Sequence, residues 1–203
     1  MRKLISAALL IGTFTSPVWA TDFDTMAQPD PARFGWTGFY AGVSAGYSWQ
    51  SDATLVPPCF NASCTAGGDG DVYGVFAGYN HQFGHFVVGA EASYTYHDIM
   101  FDDGSGVAVK DTLALKTRLG VAYDRFHIYG LVGAVYGTTT APAIFPALAD
   151  SDWGLIYGAG AEFAITDHIF SGIEYTHQAY TTFADLPIDA DIDVISVRLG
   201  YKF

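Results

Sequence analysis

Gly38-Phe39-Tyr40-Ala41-Gly42-Val43-Ser44-Ala45-Gly46-Tyr47-Ser48-Trp49 alternates from end to end. Its odd positions are Phe39, Ala41, Val43, Ala45, Tyr47 and Trp49. Its even positions are Gly38, Gly42, Ser44, Gly46 and Ser48, with Tyr40 as the exception. A period of two is that of an extended strand with one apolar face and one small or polar face. Glycine inside the apolar stretch weakens a helical alternative.

The same pattern recurs along the chain. Phe86, Val88, Ala90, Ala92, Tyr94 and Tyr96 oppose Val87, Gly89, Glu91, Ser93 and Thr95. Leu113, Leu115, Leu119, Val121 and Tyr123 oppose Thr112, Lys116, Arg118 and Gly120. Ile195, Val197, Leu199, Tyr201 and Phe203 oppose Ser196, Arg198, Gly200 and Lys202. Segments near residues 72–82, 127–137, 153–164 and 169–178 complete a set of eight. In 127–137 both parities are largely apolar, so its outer face is not assigned.

Strands of about ten residues cross a bilayer when tilted. The spacers alternate: short at 83–85, 124–126 and 166–168, long near 50–71, 97–111, 138–152 and 179–193. Short periplasmic turns and long external loops are the asymmetry of outer membrane barrels. Aromatic residues gather at both strand ends around a band of Ala, Val, Leu and Ile, matching two membrane interfaces. Half of the residues are hydrophobic, yet no segment of the mature chain is a long apolar run, which excludes a helical membrane protein. A soluble sandwich would have to hide every apolar face in one interior and gives no reason for the alternating spacers. The expected fold is an all-β, eight-stranded antiparallel up-and-down transmembrane barrel. Lipid offers no partners to an open sheet edge, so the first and last strands must pair.

Charges within the strands fall on the polar parity: Glu91, Lys116, Arg118, Glu162, Glu174, Arg198 and Lys202. The first six predict an ion-pair network filling the lumen, since eight strands leave room only for side chains. A gated ion path is the rival reading. Each carboxylate has a basic partner in prospect, so acid–base catalysis is not assigned and no catalytic, cofactor or metal residue is named. None of the six histidines has a helical metal-binding spacing. His177, near the external rim, is the one to test for lipid chemistry.

The amino terminus reads as an export signal. Arg2 and Lys3 precede the mostly apolar stretch from Leu4 to Phe14, and Val18-Trp19-Ala20 places small residues before a cleavage point after Ala20. Residues 21–33 are expected to form a flexible periplasmic lead-in and residues 34–203 the barrel. Cleavage leaves seven Lys and Arg against 21 acids, a net charge of −14. That opposes binding to nucleic acid, whose phosphates demand bases. Cys59 and Cys64 read as a short disulfide loop in an oxidising compartment. Most acids lie in the long spacers, where they confer solubility or recruit divalent cations beside lipopolysaccharide phosphates.

Phe34-Gly35-Trp36-Thr37-Gly38-Phe39-Tyr40-Ala41-Gly42, Val75-Phe76-Ala77-Gly78-Tyr79-Asn80, Gly89-Ala90-Glu91 and the ending Ser196-Val197-Arg198-Leu199-Gly200-Tyr201-Lys202-Phe203 resemble the small outer membrane barrels of alphaproteobacteria. That family includes the brucella surface antigens and bartonella hemin-binding proteins within the OmpA-like barrel superfamily. The resemblance covers residues 34–203. It implies the cell outer membrane, a structural or surface-interaction role, and a terminal Phe203 read by the barrel-assembly machinery. Because some relatives bind hemin, a receptor is one alternative, with His97, His177 and Tyr180 as external candidates; a small-conductance channel is another.

Overall fold

A computed structural model describes residues 34–51, 53–55, 64–66, 68–101, 108–140, 151–180 and 190–203. Among these residues the chain forms strands β1 (Gly38–Ser51), β2 (Ala53–Leu55), β3 (Cys64–Ala66), β4 (Gly68–Phe83), β5 (Phe86–Phe101), β6 (Ala108–Tyr123), β7 (Phe126–Thr140), β8 (Ser151–Ala164), β9 (Ile169–Tyr180) and β10 (Ala190–Lys202). Eight of them close a barrel in the order β1-β10-β9-β8-β7-β6-β5-β4, and β2 pairs with β3 as a separate ribbon. All pairings are antiparallel, and closure joins β1 to β10 through partners such as Tyr40 with Lys202 and Ser51 with Asp191.

The turns at one end are short because their residues permit it. Gly84 and Asp124 have positive φ, 61° and 53°. Primed two-residue hairpin turns require that conformation, and it is easiest for Gly, Asn and Asp. The third turn is fastened by Thr166, whose hydroxyl accepts the backbone N–H of His168 and of Ile169.

The pairing is staggered. Directly opposed register partners lead once around the wall from Ala41 through Ala77, Ala92, Leu115, Ala134, Leu155, Ala179 and Asp191 to Ser51, ten residues further along β1. With strands about 4.8 Å apart and rising about 3.3 Å per residue, that offset tilts them roughly 40°.

Strand parity then decides what meets lipid. Leu115, Leu119, Val197 and Leu199 are exposed on the outside, whereas Lys116, Arg118 and Arg198 on the opposite parity are buried inside. The unassigned strand resolves the same way: Phe126, Ile128 and Val132 of β7 face out, and His127, Tyr129, Leu131 and Val135 face in. Both parities are apolar there because the inward residues build apolar layers within the lumen.

The strands run longer than the sequence spacing predicts. Parts of all four long spacers are strand: β1 continues to Ser51, β4 starts at Gly68, β5 reaches Phe101, and β10 starts at Ala190. A ladder saturates its own backbone groups and does not stop where lipid stops. Asp69, Asp71, Asp111, Asp191 and Asp193 therefore lie on the walls rather than in loops.

Candidate functional site: a charged lumen between two apolar layers

All six lumen charges converge at one level. They come from β5 (Glu91), β6 (Lys116 and Arg118), β8 (Glu162), β9 (Glu174) and β10 (Arg198). Lys116 Nζ lies 2.7 Å from Glu91 Oε1 and 2.8 Å from Glu174 Oε1. Arg118 spans the lumen, with Nη1 3.1 Å from Glu91 Oε2 and Nη2 2.6 Å from Glu162 Oε1. Arg198 donates to Glu91 and to Glu174, and its Nε lies 3.8 Å from Glu162 Oε1. Three carboxylates meet three bases, so the cluster is formally neutral. Each of the six is buried. Isolated charges in such a place would be very costly; multiple pairing and hydrogen bonds offset the lost hydration.

Neutral groups complete the cluster. Tyr40 Oη donates to Glu91 at 2.9 Å and accepts from Arg118 at 2.7 Å. This explains the large residue on the polar parity of the opening stretch. Tyr129 Oη donates to Glu174 at 2.8 Å, and His127 Nδ1 lies 3.2 Å from Glu162. The guanidinium of Arg118 sits 3.7 Å from the centre of the Tyr129 ring, and that of Arg198 sits 3.9 Å from the Phe76 ring, a further gain for desolvated cations. Glycines make room for these side chains. A Cβ on Gly78 would lie 2.5 Å from Tyr40 Oη, and one on Gly160 would lie 2.4 Å from Tyr129 Oη.

Apolar layers enclose the charges from both ends. On the loop side pack Val72, Val135, Ile156, Tyr180, Ile192 and Val194. On the turn side pack Phe34, Trp36, Tyr40, Phe76, Val87 and Phe170. Trp36 reaches this layer from outside the strands. Its backbone N–H donates to Gln82 at 2.8 Å, its indole N–H donates to the Asp124 carbonyl at 3.1 Å, and its ring lies against His127 and Phe170. The space left beside Glu91, Lys116, Glu174 and Arg198 is a cavity of about 40 Å³, lined also by Ser and Thr. That suits water bridging polar groups rather than a ligand.

The remaining expectations divide. Lys202 lies on the inward parity but stands apart from the cluster, donating to the Gly35 carbonyl beside the Phe34 ring. His97 is buried in the lumen against Thr112, and Tyr180 points inward with its hydroxyl on Gln178, so neither is an external ligand candidate. A strand-end position in sequence gives no height or facing. His177 faces outward and bonds Asp193 at 2.8 Å. Cys59 and the side chain of Cys64, the expected disulfide, lie outside the described residues. Among the described residues no cluster of three or more His, Cys, Asp or Glu is arranged to hold a metal. Sequence reasoning missed Tyr129, His127 and Trp36 as parts of the site. Tyr40, singled out as an exception, was the one signal available.

A closed antiparallel wall with an apolar band outside and a buried cluster of paired charges in its lumen defines a transmembrane β-barrel. The chain belongs to the outer membrane protein β-barrel domain family, whose pattern matches residues 6–203. It is 29% identical to the 25 kDa outer-membrane immunogenic protein of Brucella ovis, over 98% of this chain and 96% of that one. It is 28% identical to a 22 kDa outer membrane protein of Rhizobium leguminosarum, over 86% and 77% of the two chains. The solved structure of Neisserial surface protein A superposes with a TM-score of 0.56 at 12% identity, over 82% of this chain and 98% of that one, a likeness of fold alone. The protein is thus an outer membrane barrel, resident in the cell outer membrane.

Proposed function

We propose that this protein is a non-enzymatic structural and surface-interaction barrel whose lumen is closed to ions. It is exported by a signal peptide cleaved after Ala20, inserted by the barrel-assembly machinery, and set among lipopolysaccharide with its acidic segments outward. One observation carries the reading: Arg118 and Arg198 bridge carboxylates from facing walls, between two apolar layers. An ion entering would have to break several buried pairs, each removal leaving an uncompensated charge.

Planar-bilayer recording of the full mature chain tests it. The expected record is silent or shows rare, brief openings. Steady, large conductance in the wild type would establish the channel alternative instead. Hemin titration followed at the Soret band tests the receptor alternative, and an unchanged band at micromolar hemin is the expected result. Of the three residues considered for that role, His177 alone is on the outer wall.

A further inference from the structure

Near its loop end the wall divides between β5 and β6. The two strands are register partners as far as Tyr96, opposite Asp111. Beyond that point β5 follows β4, from Val72 opposite His97 to Gly68 opposite Phe101. In turn β6 follows β7, with Ala108 opposite Thr140, and its register shifts between Val109 and Asp111. A bulge bends its strand and commonly sits where pairing ends. Among the described residues the two strands thus form a fork whose apex is Tyr96 with Asp111.

His97 stands at that apex. It is buried in the lumen, and its Nε2 lies 3.1 Å from the Thr112 hydroxyl on the other arm. The ring therefore bridges β5 to β6 where their ladder stops. Its Nδ1 is buried with no hydrogen-bond partner. Thr112 also lines the small polar cavity beside Glu91, Lys116 and Arg198, so the bridge lies over the space next to the charge cluster.

A neutral imidazole suits this place and an imidazolium does not. His97 is one residue past Tyr96 of the outer aromatic belt, outside the apolar band. Burial, the larger effect, outweighs the attraction of Asp111 on β6 and holds the ring down to about 4. On β4, Asp71 lies opposite Asp98 and on the outward parity. Toward the loop end the lumen-facing residues of β1, β9 and β10 include Ser48, Gln178, Tyr180 and Ile192, all uncharged in acid. A released ring takes its proton at about 6.5. The closed fork is therefore fully stable above that pH and weakens as pH falls through the interval below it.

We propose that His97 is an acid-sensitive latch: neutral, it ties β5 to β6 through Thr112; protonated, it leaves the lumen and lets the fork widen, so that the loop-side mouth answers to external acidity. The latch concerns that mouth alone. It is independent of whether the lumen conducts, because the charge cluster and the turn-side layer lie beneath it.

The test is hydrogen–deuterium exchange of the full mature chain in lipid vesicles at about pH 7.5 and about pH 4.5, with protection corrected for the intrinsic effect of pH on exchange. Amides near residues 93–97 and 111–114 are expected to lose at least roughly tenfold in protection on acidification, since each pKa unit between released and latched ring is worth a factor of about ten. The β8–β9 seam is expected to keep its protection. His97→Gln can still reach Thr112 but has no proton to gain, and its β5–β6 seam is expected to hold at both pH values. Should that variant not fold, an NMR titration of the wild-type ring decides: its midpoint is expected below the ordinary histidine range and together with the loss at the seam. Wild-type protection indifferent to acid, a loss spread evenly over all seams, a His97→Gln variant as acid-sensitive as the wild type, or a ring that titrates with no change at the seam would each overturn the latch.

Discussion

Glu91 and Glu162 are chemically the same residue placed unequally. Glu91 touches Lys116, Arg118 and Arg198 and accepts from Tyr40, whereas Glu162 meets Arg118 and His127 closely and Arg198 only at 3.8 Å. Removing one member of a buried cluster strands the others, at about 3–5 kcal/mol. Glu91→Gln is therefore expected near the top of that range and Glu162→Gln below it, as read from urea midpoints of the folded-to-unfolded gel shift in lipid vesicles. Trp36→Ala opens the turn-side layer and is expected to cost about 3–5 kcal/mol in the same assay; an unchanged midpoint would mean Trp36 does not seal that end. At this scale the sequence was half legible. Charge on the inward parity named Glu91, Arg118 and Arg198, but which carboxylate meets which base depends on the stagger of the wall, and no spacing along one strand encodes that.

Among the strands, parity governs energy. Leu115 and Lys116 are neighbours, yet Leu115 is 66% exposed toward lipid and Lys116 is 4% exposed in the lumen. Leu115→Arg puts a base on the outer wall near mid-membrane and is expected to destabilise by about 2–4 kcal/mol. Thr95→Ser, an inward change of one methyl, is expected to move the midpoint by less than about 1 kcal/mol. A small effect at Leu115 would contradict the facing of β6. Alternation made β1, β5, β6 and β10 readable in advance, because in them one parity is small or charged. It failed for β7, where Tyr129, Leu131 and Val135 face a lumen that is itself oily above and below its charges. It also misjudged where strands end, because pairing such as Asp71 with Asp98 continues beyond the apolar band.

For the molecule as a whole, the ion pairs of the lumen lie out of reach of dissolved ions. Screening acts on exposed pairs and hardly on buried ones. Raising sodium chloride from low to molar concentration is thus expected to leave the unfolding midpoint nearly unchanged, since among described pairs Arg125 with Asp167 is the exposed type and such pairs contribute about 0–1 kcal/mol. A steep fall with salt would point to stabilisation by surface charge instead.

The seam between β1 and β10 ties Tyr40 to Lys202, nearly the full length of the described chain. A contact so distant along the polymer forms late and slowly. Until the last dozen residues arrive, the half-made cylinder is a ribbon with two raw selvedges, a shape that oil cannot accept. The protein therefore carries its own proof of completeness: a copy cut short by a stalled ribosome or a protease has no way to hide its margins, and stays in the aqueous space where degradative enzymes can reach it.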